Sequence, residues 1–208
     1  MVSFSSSHPN PYINYLDLYF FVEIDPSIKI RVLPGVYPPS DDSYLLIESI
    51  DLDNHRKALD MGCGTGIIAL HLAKQGLDVT AVDISERAIE NTLINSKMNR
   101  IKLQIIRSDL FENVNDKYDL ITFNPPYLPT SNEDPSWDGG DRGIEIIDRF
   151  FANAYRYLEK EGEIYIIASS LTDMKLVEEK YSDTYKFDVI GKKHIFFEDI
   201  ISYRILIR

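Results

Sequence analysis

Lys57-Ala58-Leu59-Asp60-Met61, then Gly62-Cys63-Gly64-Thr65-Gly66, then Ile67-Ile68-Ala69-Leu70-His71-Leu72-Ala73, reads as a short buried strand, a glycine loop and the start of a helix. Glycines in such a loop let the backbone turn tightly and approach a ligand with no Cβ in the way. A dinucleotide site would aim helix N–H groups at a pyrophosphate. Here Asp60 stands just ahead of the glycines, and a carboxylate repels phosphate and attracts ammonium.

The neighbouring strands extend the pattern. Asp78-Val79-Thr80-Ala81-Val82 ends in Asp83, at the spacing of an acid that accepts from ribose hydroxyls. Leu103-Gln104-Ile105-Ile106-Arg107 leads into Ser108-Asp109-Leu110, where Asp109 is placed to accept from an adenine amino group and Leu110 to pack on the ring. Singly, each acid is as readily a helix cap or a solvated loop charge. Three acids and a glycine loop at successive strand ends favour S-adenosylmethionine, with its ammonium and sulfonium, over a nicotinamide cofactor. A fourth strand, Asp119-Leu120-Ile121-Thr122-Phe123, runs into Asn124-Pro125-Pro126-Tyr127. Two prolines fix φ and remove two donors, leaving the Asn124 amide and the nearby carbonyls as hydrogen-bonding groups, with Tyr127 offering a face to a flat group. Such a clamp suits a planar NH2 group on an amide, an adenine or a guanine; the plain alternative is a proline-rich turn.

At 208 residues, 44% hydrophobic and 26% charged, the chain can bury a core. It contains no 18-residue apolar run, and its start lacks a basic and then apolar signal pattern, so a cytoplasmic protein is expected. Cys63 is the single cysteine and the four histidines are scattered, so neither a disulfide nor a metal site is expected. Cys63 reads as a small loop residue rather than a nucleophile. The formal charge of −11 repels a phosphate backbone, and the basic runs Lys97–Lys102 and Lys192-Lys193-His194 read as solvated turns. A protein substrate fits that charge better than direct nucleic-acid binding.

With these motifs the chain resembles class I S-adenosylmethionine-dependent methyltransferases. Within them it is similar to HemK/PrmC-like glutamine methyltransferases that modify translation release factors. Two further stretches, Gly35-Val36-Tyr37-Pro38-Pro39-Ser40-Asp41-Asp42-Ser43-Tyr44-Leu45-Leu46 and Trp137-Asp138-Gly139-Gly140-Asp141-Arg142-Gly143, resemble the short stand-alone branch of eukaryotes and archaea. Pro38 departs from the Glu usual there. The resemblance implies a Rossmann-like α/β fold: a seven-stranded, mostly parallel sheet with an antiparallel last strand and helices on both faces. It implies that Ser43, Asp60, Gly62, Gly64, Gly66, Asp83, Ile84, Asp109, Leu110 and Asn124 bind the cofactor. Asn124, Pro125, Pro126 and Tyr127 would hold the substrate, with Asn124, Pro125 and Tyr127 catalytic. It also implies methyl transfer to a glutamine side chain, and a small zinc-binding activator subunit forming a heterodimer. The alternative is an N-methyltransferase acting on adenine or guanine of RNA or DNA.

Residues 1–34 read as an N-terminal extension and 35–208 as the methyltransferase domain, with the first ten residues mobile. Tyr15–Asp25 and Ile28–Leu33 are candidates for a hairpin packed on that domain. Helices are expected over Asp41–Ile50, from a Ser85 cap to Met98, over Gly143–Leu158 and from about Thr172 to Tyr181. Later strands are expected over Glu163–Ala168, Lys186–Ile190 and Ser202–Arg208, the last two joined by an aromatic loop around His194-Ile195-Phe196-Phe197. Leu103–Arg107 would be an edge strand, a candidate docking edge for the activator unless a helix covers it.

Overall fold

The computed structural model describes residues 22–129 and 139–208. Its elements run α1 (Asp41–Ser49), β1 (Lys57–Met61), α2 (Ile67–Lys74), β2 (Asp78–Asp83), α3 (Glu86–Asn99), β3 (Gln104–Arg107), β4 (Tyr118–Phe123), α4 (Glu145–Ala154), β5 (Leu158–Ser169), α5 (Met174–Lys180), β6 (Tyr185–Ile195) and β7 (Glu198–Ile207). They build one seven-stranded sheet in the order β3-β2-β1-β4-β5-β7-β6. β1 to β5 pair in parallel, and β7 runs antiparallel to both β5 and β6. The chain reverses direction across the sheet between β1 and β4, so loops leaving the C-terminal ends of β1, β2 and β4 share one crevice.

Strand alternation distributes the core to both faces. Leu59, Met61, Val82, Ile121, Ile164 and Ile166 meet Ile147, Phe150, Phe151 and Ala154 of α4 on one side. Ala58, Val79, Ala81, Leu120, Tyr165 and Ile167 meet Leu46 and Ile47 of α1 and Ile68, Ala69 and Leu72 of α2 on the other. Successive residues of one strand thus serve opposite layers, which is why β1, β2 and β4 read as nearly unbroken apolar runs.

The expected N-terminal hairpin falls only partly within the described residues. Of its first candidate strand, residues 15–21 lie outside the described residues, and 22–33 contain no strand. The extended run 29–33 instead bonds to a row of side chains on α3. Lys29, Arg31 and Leu33 donate their N–H groups to the amide oxygens of Asn99, Asn95 and Asn91, at 2.8, 2.9 and 2.7 Å. The asparagine NH2 groups return bonds to the carbonyls of Arg31 and Lys29. The spacings match: two extended residues advance about 6.6 Å, and four helical residues about 6 Å. Toward this run each asparagine turns one N–H donor and its oxygen acceptor, so the helix presents what a strand edge would. Val22, Ile28 and Ile30 pack on the α1/α2 layer, and the run leads directly to Gly35–Tyr37.

Two further boundaries differ from expectation. α4 ends at Ala154 rather than Leu158, because the Tyr157 carbonyl accepts from Tyr118 N–H at 2.8 Å and draws the chain into the sheet early. β6 and β7 are longer than expected and close on each other at Ile195↔Glu198. Their charged ends hid this in the sequence. In the fold, Lys192 and His194 both pair with Asp199 across the hairpin, at 2.8 and 2.9 Å. Among the described residues no helix is long and apolar enough to cross a membrane.

Candidate active site

A cavity of about 1080 Å3 opens at the C-terminal ends of β1, β2 and β4. Gly62, Gly64, Asp83, Ile84, Asp109 and Leu110 line it on one side, and Asn124, Pro125, Pro126 and Tyr127 on the other, with Ser43 also in the wall. The two sequence motifs, sixty residues apart, therefore face one space.

The glycine loop is shaped by its helix and by Asp83. Gly66 opens α2 at φ +81°, and a Cβ there would come within 2.8 Å of the Thr92 methyl carbon. Neither the backbone angle nor the space admits a larger residue. Asp83 holds both the loop and the next helix: its Oδ2 accepts from Gly64 N–H at 2.9 Å and its Oδ1 from Ser85 N–H at 2.8 Å. Burial pushes the Asp83 carboxyl above its ordinary range, opposed by those N–H groups. Cys63 is buried, with its Sγ 3.3 Å from Thr92 Oγ1, and burial pushes the thiol well up, away from nucleophilic use.

Asp60 departs from expectation. It is fully buried and does not line the cavity. Its Oδ2 accepts from Ala69 N–H at 3.1 Å and its Oδ1 from the Thr122 hydroxyl at 2.9 Å. The first turn of α2 has free N–H groups, and one of these, with the Thr122 hydroxyl, takes the carboxyl group that the sequence suggested for an ammonium. Desolvation raises its pKa to about 7. Between pH 4 and 7 the unfolded chain has Asp60 ionised while the folded chain keeps it protonated, so stability falls as pH rises, by about 1.4 kcal/mol per unit. Asp60→Asn should therefore gain on the wild type in stability from pH 5.5 to 7 and then level off. Urea titrations across that range showing a constant difference would exclude the buried-acid account.

Three residues that the sequence did not single out shape the cavity. Asp42, which the sequence shows only as one member of the Gly35–Leu46 stretch, is 4% exposed and lines the wall. Its Oδ2 accepts from the Tyr37 and Tyr127 hydroxyls, each at 3.2 Å, while Oδ1 accepts from Ser43 N–H at 2.5 Å. Burial and the Asp42 charge push Tyr37 up to about 12 and Tyr127 further, so both phenols stay protonated and donate. Asp42 thus ties the N-terminal loop to the clamp. Arg149 of α4 donates to Asp109 Oδ2 at 2.8 Å, so the expected adenine acceptor already holds one partner. Glu145, also of α4, lines the mouth.

The clamp backbone rests on the glycine-rich loop that follows it. Gly139 N–H donates to Leu128 O at 2.9 Å, and a Cβ on Gly139 would lie 2.9 Å from Pro126 O. Thr172 Oγ1 donates to Tyr127 O at 2.8 Å from the far side. Trp137 and Asp138 of that loop lie outside the described residues. Between these supports, Asn124 Oδ1 is a buried acceptor with no hydrogen-bond partner. Such an orphan costs free energy unless something that enters the cavity satisfies it.

These features fit an adenosyl cofactor: glycine-lined space beside the loop, a ribose-height acid at Asp83 and apolar Ile84 and Leu110 for a ring. The methyltransferase small domain model matches residues 27–194. A proposed protein N5-glutamine methyltransferase of Methanocaldococcus jannaschii is 37% identical over 189 residues, 86% of this chain and 95% of that protein. A release factor glutamine methyltransferase of Streptococcus pneumoniae is 34% identical over 145 residues, 62% of this chain but 51% of its own. Among solved structures, the Mtq2–Trm112 complex of E. cuniculi, responsible for methylation of the eRF1 termination factor, superposes with a TM-score of 0.69 at 25% identity, covering 84% of this chain and 99% of that one. A cavity built on the β1 glycine loop and the β4 clamp, in a sheet of this order, and a family match across most of the sequence agree: the chain belongs to the methyltransferase small domain family and uses S-adenosylmethionine.

Proposed function

We propose that this protein methylates the side-chain amide nitrogen of a glutamine in a protein, namely that of the Gly-Gly-Gln motif of a translation release factor. The observation that carries this reading is the orphaned Asn124 Oδ1 in the cavity wall. A primary amide has two N–H groups to place, and Asn124 Oδ1 with the adjacent Pro125 carbonyl offers two acceptors on one rigid turn. The Tyr127 ring gives the planar amide a face, and its hydroxyl is fixed by Asp42. S-adenosylmethionine supplies an electrophilic methyl carried on a sulfonium.

An amide nitrogen is a poor nucleophile because its lone pair is delocalised. Acceptors on both N–H groups favour the positive charge that grows on nitrogen as the new bond forms, and they act without reorganising because the prolines hold them. Asp83 would take the ribose hydroxyls, the Gly62–Gly66 loop the methionyl end together with Ser43, and Asp109 and Leu110 the adenine. The cavity lining includes Asp42, Asp83, Asp109, Asp141 and Glu145 against Arg149, which suits a polypeptide better than a phosphate backbone. A cytoplasmic setting goes with that substrate. A small zinc-binding activator subunit is part of the proposal. The outer edge of β3, at the end of the sheet, offers it a strand to pair with.

The deciding experiment incubates the protein, with and without such an activator, with S-adenosylmethionine and its organism's release factor. A gain of one methyl on the Gly-Gly-Gln glutamine, absent with Asn124→Ala, is expected. Methyl transfer to RNA or DNA in place of the release factor would overturn the reading.

A further inference from the structure

The β6–β7 hairpin breaks its own local rules. Only two residues, Phe196 and Phe197, connect the paired Ile195 and Glu198. Two-residue hairpin turns need a positive φ at the first central position and favour glycine or asparagine there. Phe196 holds that position at φ +49°. Both rings stand in solvent, at 88% and 96% exposure, the most exposed large apolar side chains among the described residues. Bulk in a left-handed turn and bare aromatic surface both work against the isolated fold, and neither contributes to the core. A device of that kind points to a contact made outside the chain.

Its position says which contact. β7 is antiparallel to β5 and pairs Ile200 with Ser169, so the turn projects past the C-terminal ends of the parallel strands, where the cavity opens. Behind the turn a shallow groove is lined by Leu128, Pro129, Leu171, Ile195, Phe196, Phe197 and, at its edge, Glu198. Leu128 lines the catalytic cavity as well, so the groove continues directly from the clamp. The β3 edge lies at the opposite end of the sheet from β6, away from this groove.

The charges around the turn favour a polypeptide over a phosphate-bearing partner. Lys192 and His194 are held by Asp199, and Lys193 by Asp41 at 2.8 Å. Glu198 accepts from the Ser169 hydroxyl. With Lys192 and Lys193 each paired with an acid, the surface offers apolar area inside a mixed polar rim, the composition of a protein-binding patch.

We infer that the Phe196–Phe197 turn and the groove beside it are the docking surface for the polypeptide substrate. They would grip apolar side chains of the folded protein outside the loop that enters the cavity. This inference rests on the protein-methylation reading above and adds where that substrate is recognised. A short Gly-Gly-Gln peptide fills the clamp but has no apolar side chain to set against the turn, so the two substrates should respond differently to its removal.

The test replaces the turn with residues its geometry favours, Phe196→Gly with Phe197→Ser, in the full chain together with any activator it requires. Steady-state kinetics then compare the intact release factor with a short Gly-Gly-Gln peptide. The expected result is a KM for the intact protein raised about ten-fold or more, as for loss of an aromatic anchor. The kcat on the peptide and the affinity for S-adenosylmethionine should not change, and the unfolding temperature should be equal to or above that of the wild type. A merely structural turn would lower stability or affect both substrates alike, and either result overturns the inference. So does an unchanged KM, or a loss confined to activator binding or self-association. Failure of the wild type to methylate the release factor would instead remove the reading beneath it, a result visible before any variant is made.

Discussion

Asn124→Ala should lower single-turnover methyl transfer by about a hundred- to a thousand-fold, the range seen when one preorganised group facing developing charge is removed. Affinity for S-adenosylmethionine should stay within a few-fold. The asymmetry follows from where the side chain works. Asn124 Oδ1 has no partner within the protein, so its removal leaves no buried donor stranded and should disturb the fold little. What is lost is an acceptor for the reacting amide, held by the rigid Pro125-Pro126 turn and by bonds from Gly139 to Leu128 and from Thr172 to Tyr127. Transfer rates and calorimetric affinity should be measured on the same preparation. Equal losses in both would show that Asn124 holds the cofactor rather than the substrate.

The opposite profile is expected for Asp83→Ala, with cofactor affinity reduced about a hundred-fold, the scale of two hydrogen bonds to a charged group. Each Asp83 oxygen already accepts one backbone N–H, from Gly64 or from Ser85, which fixes the carboxylate and leaves one lone pair on each for a diol. The substitution also frees the Gly64 N–H and loosens the glycine loop, so the loss should exceed that for Asp83→Asn, which retains an acceptor. Titration calorimetry with S-adenosylhomocysteine separates binding from turnover. Unchanged affinity in Asp83→Ala would remove Asp83 from the ribose site.

The two motifs were legible because each is a local device: a glycine loop between strand and helix, and a doubled proline after a strand. Backbone chemistry of that kind is written in consecutive residues. The strands β1, β2 and β4 were legible for a related reason, since burial on both faces favours apolar residues, with Asp60, Thr80 and Thr122 the buried exceptions. The hairpin β6–β7 was half hidden, because its outer rungs are Lys192, His194 and Asp199, and their pairing becomes visible only when the strands lie side by side. Asp60 illustrates the same limit at the site. Its place in the sequence is that of an ammonium ligand, yet the first turn of α2 and Thr122 take both of its oxygens.

By itself, the sequence determined the glycine loop, the doubled proline after a strand and an acid at the end of β2, because period, turn chemistry and charge act over a few residues, while the seven-stranded sheet came from the resemblance those motifs carry. Only the tertiary structure decided which side chains share the cavity. It buried Asp60 under α2, brought Asp42 to Tyr127 across 85 positions, set Arg149 on Asp109, and laid residues 29–33 along the asparagines of α3. Each is a pairing between distant segments. The free energy of such a pairing depends on burial and on the partners within reach, and a linear reading contains neither.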